Sequence, residues 1–96
     1  MTLRRLDEFS PYVGQEFEVV SQEGASRLRL EDAAPVSYRG GPGRQDPFRL
    51  TFRGKAPGRV EQGMFLLRHP EFGEAEMFLV PNGIAHGEVI YDALFN

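Results

Sequence analysis

The stretch PFRLTFR, residues 47–53, decides the fold of this 96-residue chain. Phe48, Leu50 and Phe52 alternate with polar residues, and an apolar period of two is typical of a β-strand that buries one face. The polar side chains between them then face solvent. Such a strand needs further strands beside it, and the rest of the chain supplies them.

Five other runs have strand character, at residues 16–19, 27–31, 63–68, 74–80 and 87–95. Gly, Pro, Ser and Asn separate them, as expected of turns. Residues 63–68 are apolar on both faces, which predicts a central or doubly covered strand. Pro81-Asn82-Gly83 is predicted to be a turn.

The N-terminus predicts one short helix. Leu3, Leu6 and Phe9 share a face at a spacing of three, Thr2 is the expected N-cap, and Pro11 ends the helix. The expected architecture is mainly β: a small antiparallel six-stranded β-barrel or sandwich with a short N-terminal helix. All 96 residues are expected to form a single domain.

The formal net charge of −3 is unevenly distributed along the chain. Residues 1–26 carry a net −3, residues 27–59 a net +5 and residues 60–96 a net −5. A basic segment between acidic ones is typical either of a nucleic-acid patch or of basic strands paired with acidic strands in one sheet. Because the overall balance is acidic, we favour the second interpretation and expect no nucleic-acid partner.

The candidate interaction face consists of Arg27, Arg29, Arg49 and Arg53. If their strands are neighbours, the guanidiniums form one patch that suits an acidic partner, a phosphate or a nucleic acid. The same arginines could instead neutralise acidic strands of this chain or of a second copy. Parity places Phe48 on the opposite face, so base stacking beside the arginines is not expected.

The candidate flexible loop consists of Gly40, Gly41, Pro42, Gly43 and Arg44. A glycine-rich loop that cradles phosphate should lead into a helix, whereas a strand follows this one. We therefore interpret residues 40–46 as a flexible connector rather than a binding loop.

Familiar catalytic chemistry has few candidate residues. The chain has no Cys, and none of its serines lies in a Gly-x-Ser-x-Gly elbow. His69 and His86 are predicted to be surface histidines in turns, because their spacing suits no metal site on one element. We expect no enzymatic activity, no cofactor and no metal.

The sequence also bears on location. It contains no apolar run of membrane-spanning length, and acidic residues interrupt the N-terminal stretch where an export signal would be apolar. We expect no membrane association and a cytoplasmic location, which the lack of Cys fits.

Five segments carry a resemblance to a known family: LDEFSPYVGQEF (6–17), PFRLTFRG (47–54), QGMFLLRHPEFG (62–73), MFLVP (77–81) and YDALFN (91–96). Together they resemble a family of small bacterial proteins of about this length that is known only as a domain of unknown function. The resemblance spans nearly the whole chain, but its motifs are strand and turn patterns and contribute no catalytic residues. The family's association with phage-tail-like, tail-collar-type proteins implies an accessory or assembly role.

Three functional hypotheses follow. The first is a non-catalytic protein-interaction or assembly module whose partner is another protein or a second copy. The second is a small-ligand-binding β-barrel with residues 40–46 as a lid. The third is an anion or nucleic-acid binder that uses the arginine-rich face.

Overall fold

The structure is a computed structural model that describes residues 5–20, 26–36, 47–56 and 59–95. It begins with helix α1 (Leu6–Phe9) and a 3-10 turn (Ser10–Tyr12). Six strands follow in these ranges: β1 (Glu16–Val20), β2 (Ser26–Pro35), β3 (Phe48–Gly54), β4 (Gly63–His69), β5 (Gly73–Ala85) and β6 (Glu88–Phe95).

The six strands form a closed barrel in the order β1-β2-β3-β6-β5-β4. Every neighbouring pair is antiparallel, and β4 closes the barrel by pairing Leu67 with Val19 of β1. Closure removes the unpaired sheet edges that an open sheet would leave. The predicted mainly β fold with a short N-terminal helix is confirmed, and the barrel is the correct one of the two architectures expected.

Strand parity fills the barrel interior with apolar side chains. Phe48, Leu50 and Phe52 of β3 are buried, as their alternation predicts, and Tyr91 of β6 lies opposite Phe52. The buried apolar core contains Phe9, Phe17, Val19, Leu28, Leu30, Phe48, Leu50, Phe52, Leu67, Ala75, Met77, Leu79, Val89, Tyr91 and Ala93. The polar residues that alternate with them lie on the outer surface.

The N-terminal segment covers one end of the barrel. Phe9 of α1 is fully buried, and its ring lies 4.9 Å from that of Phe72, 5.5 Å from that of Phe95 and 6.0 Å from that of Phe48. Helix α1 begins at Leu6, and the predicted cap Thr2 lies outside the described residues. A helix of one turn has little stability of its own, so burial of Phe9 is what holds it in place.

The predicted turn at Pro81-Asn82-Gly83 is wrong, because β5 continues through it to Ala85. Pro81 lacks an N–H to donate, but the pairing of β5 with β4 ends at Leu79, so this part of β5 has β6 as its only partner among the described strands. The extra residue forms a bulge between Pro81 and Gly83. The chain reverses instead at His86 and Gly87, whose positive φ angles of 53° and 78° suit a tight hairpin turn.

Within the described ranges, no helix combines the length and the apolar character needed to cross a membrane.

Tyr91 places a hydroxyl in the core without a hydrogen-bond partner in the described part of the chain. Its removal should therefore cost little. We expect Tyr91→Phe to leave the free energy of unfolding unchanged or to raise it by up to about 1 kcal/mol. Urea denaturation followed by circular dichroism measures this, and a loss above about 1 kcal/mol would show that the hydroxyl is bonded.

Tyr91→Phe should also change how the stability of the protein depends on pH in alkaline solution. Burial raises the pKa of Tyr91 above its ordinary value of 10.0, so the unfolded chain ionises before the folded one does. Wild-type stability therefore falls as pH rises past that ordinary value, and the part due to Tyr91 is absent from the phenylalanine variant. Denaturation curves at neutral pH and above pH 10.0 compare the two proteins.

Candidate functional site

The pairing of β2 with β3 brings three of the four candidate arginines together. Arg29 lies directly opposite Arg53, and both line a surface groove of about 540 Å³ with Arg27 and Lys55. We call this the arginine groove. Arg49 lies near the other end of β3, opposite Ala34 of β2, and does not line the groove.

Each arginine of the groove has an acidic partner in the same chain. Arg29 Nε donates to Glu31 Oε2 at 2.6 Å, Arg53 Nε donates to Glu88 Oε1 at 2.9 Å, and Arg27 lies 3.7 Å from Glu16. The Arg29 hydrogen bond holds the pKa of Glu31 below its ordinary value. These carboxylates offset the charge of the guanidiniums, which weakens their attraction for an incoming anion.

A second set of ion pairs crosses β1, β4 and β5. Arg68 of β4 lies 3.4 Å from Glu18 of β1 and 2.9 Å from Glu74 of β5. With the pairs of the arginine groove, this confirms the interpretation that basic and acidic strands are paired within one sheet. Among the described residues, ion pairs therefore offset part of the uneven charge along the sequence.

His69 is buried, so its predicted surface position is wrong. It ends β4 with 6% of its surface exposed and packs against the rings of Tyr12 and Phe17. The turn that follows it, not the histidine itself, is at the surface. His86 is exposed, as predicted.

Both ring nitrogens of His69 are engaged. Nδ1 accepts hydrogen bonds from the backbone N–H groups of Glu71 at 3.0 Å and Phe72 at 3.2 Å. Nδ1 is thus an acceptor, so Nε2 carries the proton and donates to Gln15 Oε1 at 2.7 Å. His69 therefore fixes the β4–β5 turn and joins it to the residue before β1. It lines a groove of about 740 Å³ together with Gln15 and the Arg68 ion pairs.

The outer side of the barrel, from β6 across β5 and β4 to the end of β1, carries an exposed apolar surface that sequence reasoning did not identify. We call it the apolar face, and it consists of Val20, Met64, Phe78, Val80 and Leu94. Met64 is 60% exposed, Leu94 59% and Phe78 46%. Exposed apolar residues are ordinary when single, whereas a large contiguous group is often functional.

The strand register shows that this group is contiguous. Met64 of β4 pairs directly with Phe78 of β5, and Val80 pairs with Asp92 of β6. Leu94 follows Asp92 by two residues on β6, and Phe78 precedes Val80 by two on β5, so both lie on the outer side next to that pair. Val20 joins the group through Leu66, with which it pairs across β1 and β4.

The sequence held the signal for this face. The apolar run at residues 63–68 predicts a central or doubly covered strand, and β4 is central, because it pairs with β1 on one side and β5 on the other. Among the described residues, only the inner side of β4 is covered, by the barrel core, and Met64 on the outer side is exposed. An outward apolar residue that the chain itself does not cover is available to another molecule.

Two further sequence predictions concern the candidate loop and a metal site. The candidate loop of Gly40, Gly41, Pro42, Gly43 and Arg44 lies outside the described residues. In the described ranges, no three His, Asp or Glu side chains come together as a metal site requires.

The fold and these surfaces define the class: a small closed antiparallel β-barrel with an internally paired arginine groove and an exposed apolar face. The chain belongs to the family described as Domain of unknown function (DUF6916), whose model matches residues 4–95. This agrees with the resemblance to a family of unknown function. Comparison with curated proteins gave no match, and neither did comparison with solved structures.

Proposed function

We propose that this chain is a non-catalytic protein-interaction or assembly module that docks through the apolar face. The observation that carries the proposal is the pairing of Met64 with Phe78, two large exposed residues in direct register on adjacent strands. On the outer side of a barrel in water, such positions are ordinarily polar, as Glu16 and Arg29 are on β1 and β2. Burial against another protein would remove this apolar surface from water.

The proposal also names the assembly in which the module works. The family resemblance implies an association with phage-tail-like proteins, and we assign the chain an accessory or assembly role in such a structure. A cytoplasmic location belongs to the same proposal. Co-purification with tail-like assemblies and cell fractionation test these two parts separately from docking.

The other two hypotheses have less support. A ligand-binding barrel needs interior space, whereas Phe17, Phe52 and Tyr91 fill the described interior with fully buried rings. An anion binder needs free cations, whereas Arg29 and Arg53 are bonded to carboxylates within the chain. Both observations therefore count against these hypotheses and leave docking through the apolar face better supported.

Photo-crosslinking in cells tests the proposal. A crosslinking phenylalanine analogue replaces Phe78 in the full chain, and the matched control places it at Ile84 on the same strand. Ile84 is 69% exposed but pairs with the inward-facing Val89, so it lies outside the apolar face. We expect a discrete crosslinked protein from position 78 and none from position 84. Absence of a product at 78, or equal products at both positions, would refute docking through this face.

A further inference from the structure

We infer that the occupant of the apolar face is a second copy of this chain, packed against the same face about a two-fold axis. This rests on the proposed function, since it names the partner for the same surface. Three features of the face carry the inference: its size, its shape and the charges at its border.

The size of the face matches the centre of a small dimer interface. The exposed parts of its five residues amount to an apolar area on the order of 400 Å², at the level where a patch on a monomer is often functional. A standard interface buries about 800 Å² on each partner, so the face supplies the apolar centre and neighbouring residues the rim. As the outer side of a sheet, it can pack against an identical sheet as the layers of a sandwich do.

The border of the face carries charges of both signs. Asp92 pairs with Val80 and accepts hydrogen bonds from Thr51 and Asn82 within the chain. Arg49, which pairs with Leu94 across β3 and β6, and Glu76, which pairs with Leu66 across β4 and β5, lie at different edges. Neither forms an ion pair with another described residue, whereas Arg27, Arg29, Arg53 and Arg68 all do. A two-fold axis repeats every contact, so Arg49 of one copy can meet Glu76 of the other twice. Arg49 and Glu76 thus make the border of the face complementary to itself about this axis.

The mass of the full chain in solution tests this first. Light scattering coupled to size exclusion, over a range of concentrations, should give twice the 10.8 kDa chain mass for the wild type. Phe78→Arg should give the single-chain mass, because it places a charge at the centre of the apolar contact. Ile84→Arg is the matched control, since it adds the same charge on the same strand outside the face, and it should remain dimeric. Circular dichroism confirms that each variant is folded.

A charge exchange then tests the symmetric contact. Arg49→Glu and Glu76→Arg should each weaken dimerisation at least tenfold by placing like charges together, and the double variant should restore it. Single variants that dimerise as tightly as the wild type, or a double variant without recovery, would overturn the two-fold arrangement.

The failures of the two proposals are distinguishable. A wild-type chain that stays monomeric at every concentration, while position 78 crosslinks to a different protein, overturns the second copy and supports docking. A monomeric chain that yields no crosslink from position 78 overturns both.

Discussion

Phe9→Ala is expected to lower the free energy of unfolding by about 3–5 kcal/mol, as truncation of a buried phenylalanine does when the site cannot collapse. Phe9 has no exposed surface, and it joins α1 to rings at the ends of β3 and β6. Its loss would leave a cavity at this end of the barrel. It would also remove the only described core residue of a helix too short to persist alone. Urea denaturation followed by circular dichroism measures the change.

Val13→Ala is the control for this prediction, because Val13 lies in the same N-terminal segment but is 43% exposed. It should change stability by no more than about 0.5 kcal/mol. If Phe9→Ala costs less than about 1 kcal/mol, the N-terminal segment does not seal the barrel and the packing described for it is wrong.

His69→Ala is expected to cost about 2–4 kcal/mol, a large effect for a residue outside the apolar core. The substitution removes the bond to Gln15 Oε1 and leaves the backbone N–H groups of Glu71 and Phe72 without their acceptor. An unmet donor in a partly buried place costs more than the hydrogen bond contributes wherever water cannot fully replace the partner. Thermal or urea denaturation at neutral pH gives the difference from wild type.

Two further variants show whether this cost arises from the contacts of His69. His86→Gly should be neutral or stabilising, since His86 is exposed and has a positive φ of 53° that glycine adopts without strain. A double-mutant cycle of His69→Ala with Gln15→Ala should give a coupling of about 1 kcal/mol. Additive effects would mean that the His69–Gln15 bond contributes nothing.

The sequence predicts most of the barrel because the inner and outer positions of its strands differ in polarity. The alternation around Phe48, Leu50 and Phe52 identifies β3 and its buried face correctly. The charge pattern predicts basic strands beside acidic ones, and Glu16 and Glu18 of β1 lie opposite Arg29 and Arg27 of β2. Local patterns of this kind are visible in a sequence because each residue shows its own preference for water or core.

The errors arise where a residue's role depends on distant parts of the chain. Pro81 favours a turn locally. It is tolerated in β5 because β4 begins at Gly63, opposite Leu79, and does not extend beside Pro81. His69 is next to Pro70 and so suggests an exposed turn, but Gln15, 54 positions away, supplies the partner that holds it inside. Neither fact can be read from the neighbouring residues.

The apolar face shows a different limit of sequence reasoning. The outward residues Met64 and Phe78 lie in runs that are apolar on both sides, a pattern typical of strands that bury both faces. It does not say which molecule covers the second face. The structure shows that the inner side packs on the core while the outer side is exposed, and this leaves another protein as the proposed cover.

The most direct test of this account follows the methionine methyl groups by NMR, with a soluble paramagnetic probe in the buffer. Met64 lies in the apolar face, and Met77 is buried in the core of the same barrel and serves as an internal control. We predict that the probe broadens the Met64 signal in dilute protein and in Phe78→Arg, and that this broadening disappears as the wild-type concentration rises. The Met77 signal should remain sharp throughout. A Met64 methyl that stays equally accessible to the probe at every concentration would contradict the second copy on the apolar face.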